Sequence, residues 1–388
     1  MKILIPSIHY PPIIGGFEIF TQSVSEEIGK TDDIFIVTGR VINTLKKEEK
    51  NRLRILRTSP RELKDLSYSS SKYILGTMVW IFFRSLKIIR KEKIELIHAQ
   101  GFLSGILSYF LSKLSKIPYI ITIQSADFSV YHHKLNIKPV LSLYNRMERA
   151  IFTNAEYCHA ISNHLEKHLL KYSPKATIVI PNGVDIKKFV PDSGKLSTRK
   201  KLGFDTKNLI VCVSRLEHKN GTHDLITAAK LLNEEIRDFK IIVCGSGSQK
   251  EELEKMIKGF GLKDKIFLLG SVLYDKIPQY VAAADIFIRP SLAEGFGNVF
   301  VEAMSAGAAV IGTPVGGIPD FLKDGVNGLF CEPGNPEDIK EKIKKLITDK
   351  TLAQKVINGG IKTAREEYDW TGIAQRVRKM YSNIINNK

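Results

Sequence analysis

Residues 289–320 read RPSLAEGFGNVFVEAMSAGAAVIGTPVGGIPD and contain, in one run, a strand end, a glycine-rich loop and a helix start. An apolar strand (residues 284–288) leads into the loop with Glu294, and a helix that opens near Asn298 carries Glu302. The first turn of a helix offers unpaired N–H groups and the positive end of the helix dipole. The stretch is therefore typical of a phosphate-binding loop at the carboxyl end of a sheet.

The spacing of Glu294 and Glu302 argues against an acid/base pair of the glycosidase kind. Such a pair lies roughly 5–9.5 Å apart across one bond, whereas eight residues of one helix span about 12 Å and rotate by about 80°. Because Gly295 and Gly297 intervene, we place Glu294 on the loop and Glu302 in the first helical turns. The two carboxylates then face different parts of one ligand. The structural alternative for Glu302 is an acid stabilised by the helix dipole.

The motif P-S-x-x-E-G-F-G-x-x-x-x-E-A-M-x-x-G, followed by G-G-I-P, resembles the retaining family-4 glycosyltransferases of the GT-B fold. That resemblance implies two Rossmann-like domains with parallel sheets that face each other across a cleft. It also implies that Glu302 holds the ribose of a nucleotide-sugar donor. Glu294 and the backbone of Phe296 and Gly297 would hold the sugar, and Asn298 belongs to the same donor-binding stretch.

The composition fits a globular protein of two domains. The chain has 388 residues, 43% of them hydrophobic, and no apolar run approaches the 18 residues typical of a membrane span. Four scattered cysteines without metal-ligand spacing predict reduced, structural thiols. Since the apolar run after Met1 is too short for a signal peptide, we expect a cytoplasmic protein.

The net charge of +17 is concentrated in the first half of the chain. Residues 1–200 hold 31 Lys and Arg against 17 Asp and Glu, whereas residues 201–388 hold 27 against 24. Such a positive electrostatic potential would attract nucleic acid or an anionic membrane surface. No nucleic-acid-binding motif accompanies the charge, so we expect a peripheral membrane contact and no nucleic acid. A lysine-rich solubilising surface is the alternative.

Residues 73–89 (YILGTMVWIFFRSLKII) predict a strongly apolar helix edged by cations. One interpretation is an interfacial helix that buries aromatic side chains among lipid headgroups. The other is a helix packed on the sheet, and the sequence leaves both open.

In the first half, two strand ends carry candidate donor contacts. A strand at residues 2–7 precedes Gly15, Gly16 and Glu18, which resemble the family's GGxE loop beside the donor pyrophosphate and sugar. A second strand (residues 118–123) ends in Gln124, where family members commonly have the His of His-Gly-x-Asp. Glutamine can bind a sugar hydroxyl but cannot transfer a proton.

Asp127 keeps the family's acidic position after Gln124 and Ser125. It is the remaining catalytic carboxylate candidate on this side. A helix cap is the structural alternative for an isolated aspartate at a strand end.

In the second half, a strand at residues 209–214 ends in Arg215, and Lys219 follows closely. These two cations can cradle a pyrophosphate, with Arg215 as a fork and Lys219 as a point charge. The family pattern G-R-x-x-x-x-K-G has its lysine one position later, where this chain has Asn220. Gly245, after the next strand, suits a loop that faces a nucleotide.

Strands and helices alternate through both halves, which predicts two doubly wound α/β domains. We expect an acceptor domain at residues 1–190, completed by a helix at 372–388, and a donor domain at 191–371. The expected activity is hexose transfer from a nucleotide-diphosphate sugar to an acceptor glycan, lipid-linked or membrane-associated. With no D-x-D motif in the chain, we expect no metal and no cofactor. The alternatives are a soluble disaccharide synthase or phosphorylase and a non-catalytic nucleotide-sugar-binding protein.

Overall fold

The computed structural model describes residues 1–13, 15–59, 62–63, 71–124, 138–189, 194–204 and 206–386. The chain divides into two compact units. Met1–Asn182 and Trp370–Lys388 form the first unit, and Gly183–Asp369 forms the second. The second unit thus begins at residue 183, before the start at residue 191 that the sequence suggested.

Strands and helices alternate along most of the chain. The strands are β1 (Lys2–Ser7), β2 (Asp33–Thr38), β3 (Lys47–Lys50), β4 (Leu53–Arg57), β5 (Leu96–Gln100), β6 (Tyr119–Ile123), β7 (Tyr157–Ala160), β8 (Thr177–Val179), β9 (Leu209–Val213), β10 (Lys240–Cys244), β11 (Ile266–Gly270), β12 (Ile286–Arg289), β13 (Ala309–Gly312) and β14 (Leu329–Phe330). The helices are α1 (Gly16–Ile28), α2 (Ser71–Glu92), α3 (Gly101–Ser115), α4 (Lys138–Asn154), α5 (Asn163–Leu170), α6 (Ile186–Phe189), α7 (Lys195–Lys201), α8 (Thr222–Glu235), α9 (Lys250–Gly259), α10 (Ile277–Ala283), α11 (Asn298–Ser305), α12 (Ile318–Phe321), α13 (Pro336–Thr348), α14 (Lys350–Glu367) and α15 (Trp370–Asn386).

The sheet of the first unit has the strand order β3-β4-β2-β1-β5-β6-β7-β8. Its neighbouring strands run parallel, with the exception of the antiparallel pair β3–β4. The polar strand β3 (KEEK) is largely exposed at the sheet edge, a place where charged residues discourage pairing with another chain. Asn51, with φ of +55°, lies in the short turn that joins the pair. The sequence pattern did not predict this hairpin.

Helices α1 and α15 pack together on one face of this sheet. Phe20 from α1 and Val377 from α15 lie in one buried cluster with Ile3, Ile5 and Ile120. Side chains alternate along a strand, so Ile121 points to the opposite face. There Gly105 of α3 approaches it closely. Apolar helices therefore cover both faces, as a buried parallel sheet requires.

The second unit is built on six parallel strands in the order β11-β10-β9-β12-β13-β14. One face is buried by α8, α9 and α13, whose apolar residues cluster with Ile286 and Ile288. On the other face, Phe287 contacts Phe300 of α11 at a ring-centroid distance of 5.5 Å. The arrangement places the carboxyl ends of all six strands at one edge of the sheet.

A buried chain of hydrogen bonds connects α15 to the sheet of the first unit. His159 Nε2 lies 2.7 Å from the Ile180 carbonyl oxygen and must donate to it, so its Nδ1 accepts from Thr122 at 2.7 Å. Thr122 in turn lies 2.6 Å from His98 Nε2, and His98 Nδ1 lies 2.5 Å from the Tyr381 hydroxyl. Burial lowers the pKa of both histidines, that of His159 to about 4. His159 is therefore a core histidine.

Tyr381→Phe should destabilise the protein, because it leaves Nδ1 of the fully buried His98 without a donor. The expected loss in the free energy of unfolding is about 1–3 kcal/mol, measured by urea denaturation. Tyr109→Phe on α3 is the control, since the Tyr109 hydroxyl has no hydrogen-bond partner among the described residues. Equal stability of the Tyr381→Phe protein and the parent would contradict the hydrogen-bond assignment.

Candidate active site

Most predicted donor contacts lie in the loops that follow β9, β10, β12 and β13 in the second unit. These strands are neighbours in the sheet, so their loops meet at one edge. Backbone hydrogen bonds connect the loops directly, from Leu292 N–H to the Lys219 oxygen (2.8 Å) and from Leu216 N–H to the Ser246 oxygen (3.0 Å). The separate motifs of the sequence therefore form one continuous surface.

Two glycines allow these loops to approach each other. Gly316, with φ of +57°, lies so close to the backbone of Glu294 that a Cβ atom would overlap the Glu294 carbonyl oxygen. Gly221, with φ of +69°, has the same relation to the Pro290 oxygen. Both positions require glycine for its conformation and for its lack of a side chain. Gly245, with φ of +148°, similarly lies against the Ser214 oxygen.

Glu294 lies on the loop after β12, as the sequence analysis placed it. Its Oε1 accepts a hydrogen bond from Gly295 N–H at 3.0 Å, and its Oε2 lies 2.5 Å from Nη2 of Arg289. The two side chains are mostly buried, with 15% and 16% of their surface exposed. The carboxylate is thus held by an ion pair and a backbone amide, and it keeps a solvent-accessible part for a ligand.

Asn220, which occupies the position of the family lysine, is buried and joins two strand ends. Its Nδ2 donates to the Arg215 carbonyl oxygen at 2.7 Å. Its Oδ1 accepts from Nη2 of Arg289 at 2.8 Å. A continuous series of contacts therefore runs from Arg215 through Asn220 and Arg289 to Glu294.

The side chains of Arg215 and Lys219 are both exposed at this edge. The backbone oxygen of Arg215 accepts hydrogen bonds, but its guanidinium makes no hydrogen bond or ion pair with any residue of the described part of the chain. The Lys219 backbone is fixed by its contact with Leu292. The geometry leaves the Arg215 guanidinium open to an incoming anion.

Glu302 lies in α11, in the helical turns that the sequence analysis assigned to it. The Tyr274 hydroxyl donates to its Oε1 at 3.1 Å. Burial raises the pKa of Glu302 to about 7, against a smaller lowering by the Tyr274 hydrogen bond. Lys188 lies 4.4 Å from the centre of the Tyr274 ring and pairs with Asp275 at 2.6 Å. Glu302 is therefore a buried acid whose proton is exchangeable near neutral pH.

The loop between Glu294 and Glu302 has its aromatic side chain in the core and its backbone available to a ligand. The Phe296 ring is buried against Phe321 and Tyr368, at centroid distances of 5.2 and 5.8 Å. Gly297, with φ of +96°, precedes the first helical residue, Asn298. Since the Phe296 side chain is in the core, the backbone around Gly297 is what this loop can offer a ligand.

In the first unit, Gly15 and Gly16 begin α1, and Gln124 lies beside them. Gln124 Oε1 is 2.9 Å from the position of a Cβ atom on Gly16, and it accepts a 3.4 Å hydrogen bond from Asn182. Glu18, in the first turn of α1, has its pKa raised by burial. The predicted residues Gly15, Gly16, Glu18 and Gln124 are thus close together, whereas Asp127 lies outside the described residues.

His9, Arg289 and Tyr274 are polar groups of these loops that the sequence analysis did not assign. His9 Nδ1 lies 4.0 Å from Glu18 Oε1, and burial lowers the pKa of His9. A sequence signal existed for Arg289, since a charged residue that ends an apolar strand lies at the ligand-binding edge of a parallel sheet. Tyr274 lies in the loop after β11, and no spacing rule connects it to Glu302.

Neither a metal site nor a membrane span is found in the described part of the structure. Its His, Cys, Asp and Glu side chains form no group of three that could hold a metal ion. No helix within the described ranges is long and apolar enough to cross a bilayer. All four cysteines are buried and free, and burial raises their pKa values.

Two family matches account for the two halves of the chain. Residues 14–188 match Glycosyltransferase Family 4, and residues 195–363 match Glycosyl transferases group 1. The chain belongs to the family-4 (group 1) glycosyltransferases. An uncharacterized glycosyltransferase of Methanocaldococcus jannaschii is 28% identical over 395 residues, which are 99% of each chain. The gpi3 subunit of phosphatidylinositol N-acetylglucosaminyltransferase from Schizosaccharomyces pombe is 28% identical over 309 residues, 77% of this chain and 63% of that protein.

Solved structures resemble this glycosyltransferase along its whole length. Sucrose-phosphate synthase from Thermosynechococcus elongatus superposes with a TM-score of 0.81 at 21% identity and 100% coverage of both chains. HepE from Anabaena, in complex with UDP-glucose, gives a TM-score of 0.76 at 21% identity and covers 99% of this chain and 100% of its own. These matches confirm the predicted GT-B fold.

Glu302→Gln should change the pH dependence of stability. The raised pKa means that between pH 4.5 and about 7 the folded protein holds a proton that the unfolded chain has released. The free energy of unfolding of the parent therefore falls as pH rises through this window, by up to about 3 kcal/mol. The glutamine variant lacks this titration, so its stability relative to the parent should increase from about pH 5 to about pH 8 in urea denaturation.

The matched control is Glu234→Gln, an exposed carboxylate on α8 of the same unit. Its stability should follow that of the parent across the pH range. If the Glu302→Gln curve also runs parallel to the parent, Glu302 does not titrate as a buried acid.

Proposed function

We propose that this glycosyltransferase moves a hexose from a nucleotide-diphosphate sugar to a hydroxyl of an acceptor glycan, with retention of the anomeric configuration. The proposal rests on one observation above all. Glu294 and Arg215 lie in loops at one edge of one sheet, and Glu302 lies in helix α11, which follows the Glu294 loop. Together they can contact the sugar, ribose and phosphate parts of a single donor. The UDP-glucose bound to HepE, a protein of the same fold, supports a donor of this class.

Each group has a distinct role in the proposed donor complex. Glu302 accepts hydrogen bonds from the ribose hydroxyls, which replace the Tyr274 hydroxyl as its partner. Glu294 and the amides near Gly297 bind the sugar hydroxyls. Arg215 and Lys219 bind the diphosphate and stabilise the negative charge that develops on it.

The proposed reaction needs no protein side chain as general base. The acceptor oxygen forms a bond to the anomeric carbon as the bond from that carbon to the diphosphate oxygen breaks. The electron pair of the broken bond stays on the phosphate, which also takes the acceptor proton. Gln124 in place of histidine is compatible with this route. The protein contributes positioning and charge stabilisation, and we expect neither a metal ion nor a cofactor to be required.

Glu294→Gln should lower kcat by on the order of 100-fold. The neutral amide forms no ion pair with Arg289 and lacks the negative charge that orients the sugar. The assay measures nucleoside diphosphate release from UDP, GDP and ADP sugars with lipid-linked and soluble acceptors. Glu234→Gln should act at the parent rate. The anomeric configuration of the product, read by NMR, tests retention.

Two results would contradict this proposal. Transfer by Glu294→Gln at the parent rate would remove Glu294 from the donor site. Absence of nucleotide release with every donor and acceptor, despite nucleotide-sugar binding, would instead indicate a non-catalytic binding protein.

The acceptor is proposed to be lipid-linked or membrane-associated, because α2 presents an apolar and basic surface. Ile81 and Ile88 are buried, so this helix does pack on the sheet. Its other side exposes 54% of Trp80 and 65% of Phe83. Arg84, Lys87, Arg90 and Lys91 are exposed on the same helix. Aromatic rings beside cations suit the interface of an anionic bilayer. The name of the gpi3 relative, which includes phosphatidylinositol, supports a lipid acceptor.

Vesicles of phosphatidylglycerol and phosphatidylcholine should bind the protein at low salt and shift its tryptophan fluorescence to the blue. The chain has two tryptophans, and only Trp80 is well exposed, because Trp370 is 9% exposed. The shift should be absent with phosphatidylcholine alone and lost in Trp80→Phe. No binding to anionic vesicles would favour a soluble acceptor, as for a disaccharide synthase or phosphorylase.

A further inference from the structure

The position of the family lysine carries no charge in this chain. Asn220 stands there, and it is 1% exposed. Both ends of its amide are used, one by the Arg215 carbonyl oxygen and the other by Arg289. Asn220 therefore acts as a neutral connector. The charge that the family pattern has at this position is therefore absent, although Lys219 lies one residue earlier.

Arg289 brings a cation to the same point from the neighbouring strand. Strands β9 and β12 pair in parallel, with Ile286 opposite Ile210 and Phe287 opposite Val211. Arg289, at the end of β12, consequently lies beside the segment that leads to Arg215. Its Nη2 is 2.8 Å from Asn220 Oδ1. Position 220 itself is uncharged, but the positive charge of Arg289 lies within hydrogen-bonding distance of it.

The Arg289 guanidinium retains donors for a ligand. An arginine side chain has five N–H groups, and the contacts to Asn220 and Glu294 both involve Nη2. The Nε atom is buried and has no hydrogen-bond partner among the described residues. A buried donor without a partner is costly unless a ligand satisfies it. The phosphate oxygens of a donor are acceptors of the kind that guanidinium groups bind well.

We propose that Arg289 replaces the family lysine as the cation that stabilises the leaving nucleoside diphosphate. This inference rests on the proposed function, since it assigns a further residue to the same donor site. In this arrangement Arg289 contacts the diphosphate through donors other than the shared Nη2, while Asn220 and Glu294 fix its orientation. The diphosphate site then contains Arg215, Lys219 and Arg289, of which Arg289 is supplied by β12.

The proposal makes a specific statement about positions 220 and 289 together. A lysine at 220 in the parent would place its ammonium beside the Arg289 guanidinium in a mostly buried site, where like charges repel. The same lysine should be favourable once position 289 is neutral. The two substitutions are therefore expected to be harmful singly and compensating in combination.

The experiment compares Arg289→Gln, Asn220→Lys and the double variant by isothermal titration. The ligands are the nucleoside diphosphate released in the donor screen and the corresponding monophosphate. Arg289→Gln should weaken diphosphate binding by about tenfold and monophosphate binding far less, because only the diphosphate carries the leaving phosphate group. The double variant should recover most of the diphosphate affinity, and Asn220→Lys alone should bind more weakly than the parent.

Two further variants separate charge from structure. Arg289→Lys keeps the charge and should bind diphosphate better than Arg289→Gln, which shows that the effect is not general unfolding of the loop. Arg237→Leu removes an exposed arginine just before β10, at the amino edge of the same sheet, and should bind as the parent does. Thermal unfolding of each protein checks that it is folded at the titration temperature.

The outcomes distinguish this inference from the proposed function. A parent that binds no nucleoside diphosphate contradicts both. A parent that binds it, with Arg289→Gln weakening mono- and diphosphate equally or with no recovery in the double variant, overturns the role of Arg289 alone. Arg289 would then be only the partner that holds Glu294.

Discussion

The ion pair between Arg289 and Glu294 is the contact on which the loops at the carboxyl edge of the second sheet depend. Each charged group is mostly buried, and an unpaired charge in such a place is strongly unfavourable. Neither side chain could therefore keep its position without the other. The Gly295 amide and the Asn220 side chain bind the pair further. This fixes the carboxylate relative to two strand ends, which is the precision that a sugar-binding group requires.

The two glutamates of the motif have different environments, which suits different roles. Glu294 is held in an ion pair on a loop, whereas Glu302 is buried in α11 with Tyr274 as a neutral partner. Burial without a cation in contact raises the pKa of Glu302 to about 7. A ribose hydroxyl can replace the Tyr274 hydroxyl without any change in charge. In the proposed donor complex, the site would therefore be preorganised at the sugar end and would exchange one hydroxyl for another at the ribose end.

The sequence predicted the parts of the site that follow from local pattern. Strand ends, the loop position of Glu294 and the helical position of Glu302 all follow from apolar runs and glycines. The partners of these residues did not follow, because Arg289 and Tyr274 meet the glutamates through tertiary contacts. The hairpin of β3 and β4 was not predicted for another reason, since KEEK shows no alternation of apolar and polar residues. Asn220 was seen as a departure from the family, but its contact with Arg289 is visible only in the fold.

A crystal structure of the protein with a non-hydrolysable nucleoside-diphosphate sugar would test the central claim most directly. The account predicts one donor bound at the carboxyl edge of the second sheet. Glu302 should bind the ribose hydroxyls in place of Tyr274, Glu294 should bind the sugar, and Arg215 should contact the diphosphate. A donor bound at another surface, or Glu302 still paired with Tyr274 and distant from the ribose, would contradict it.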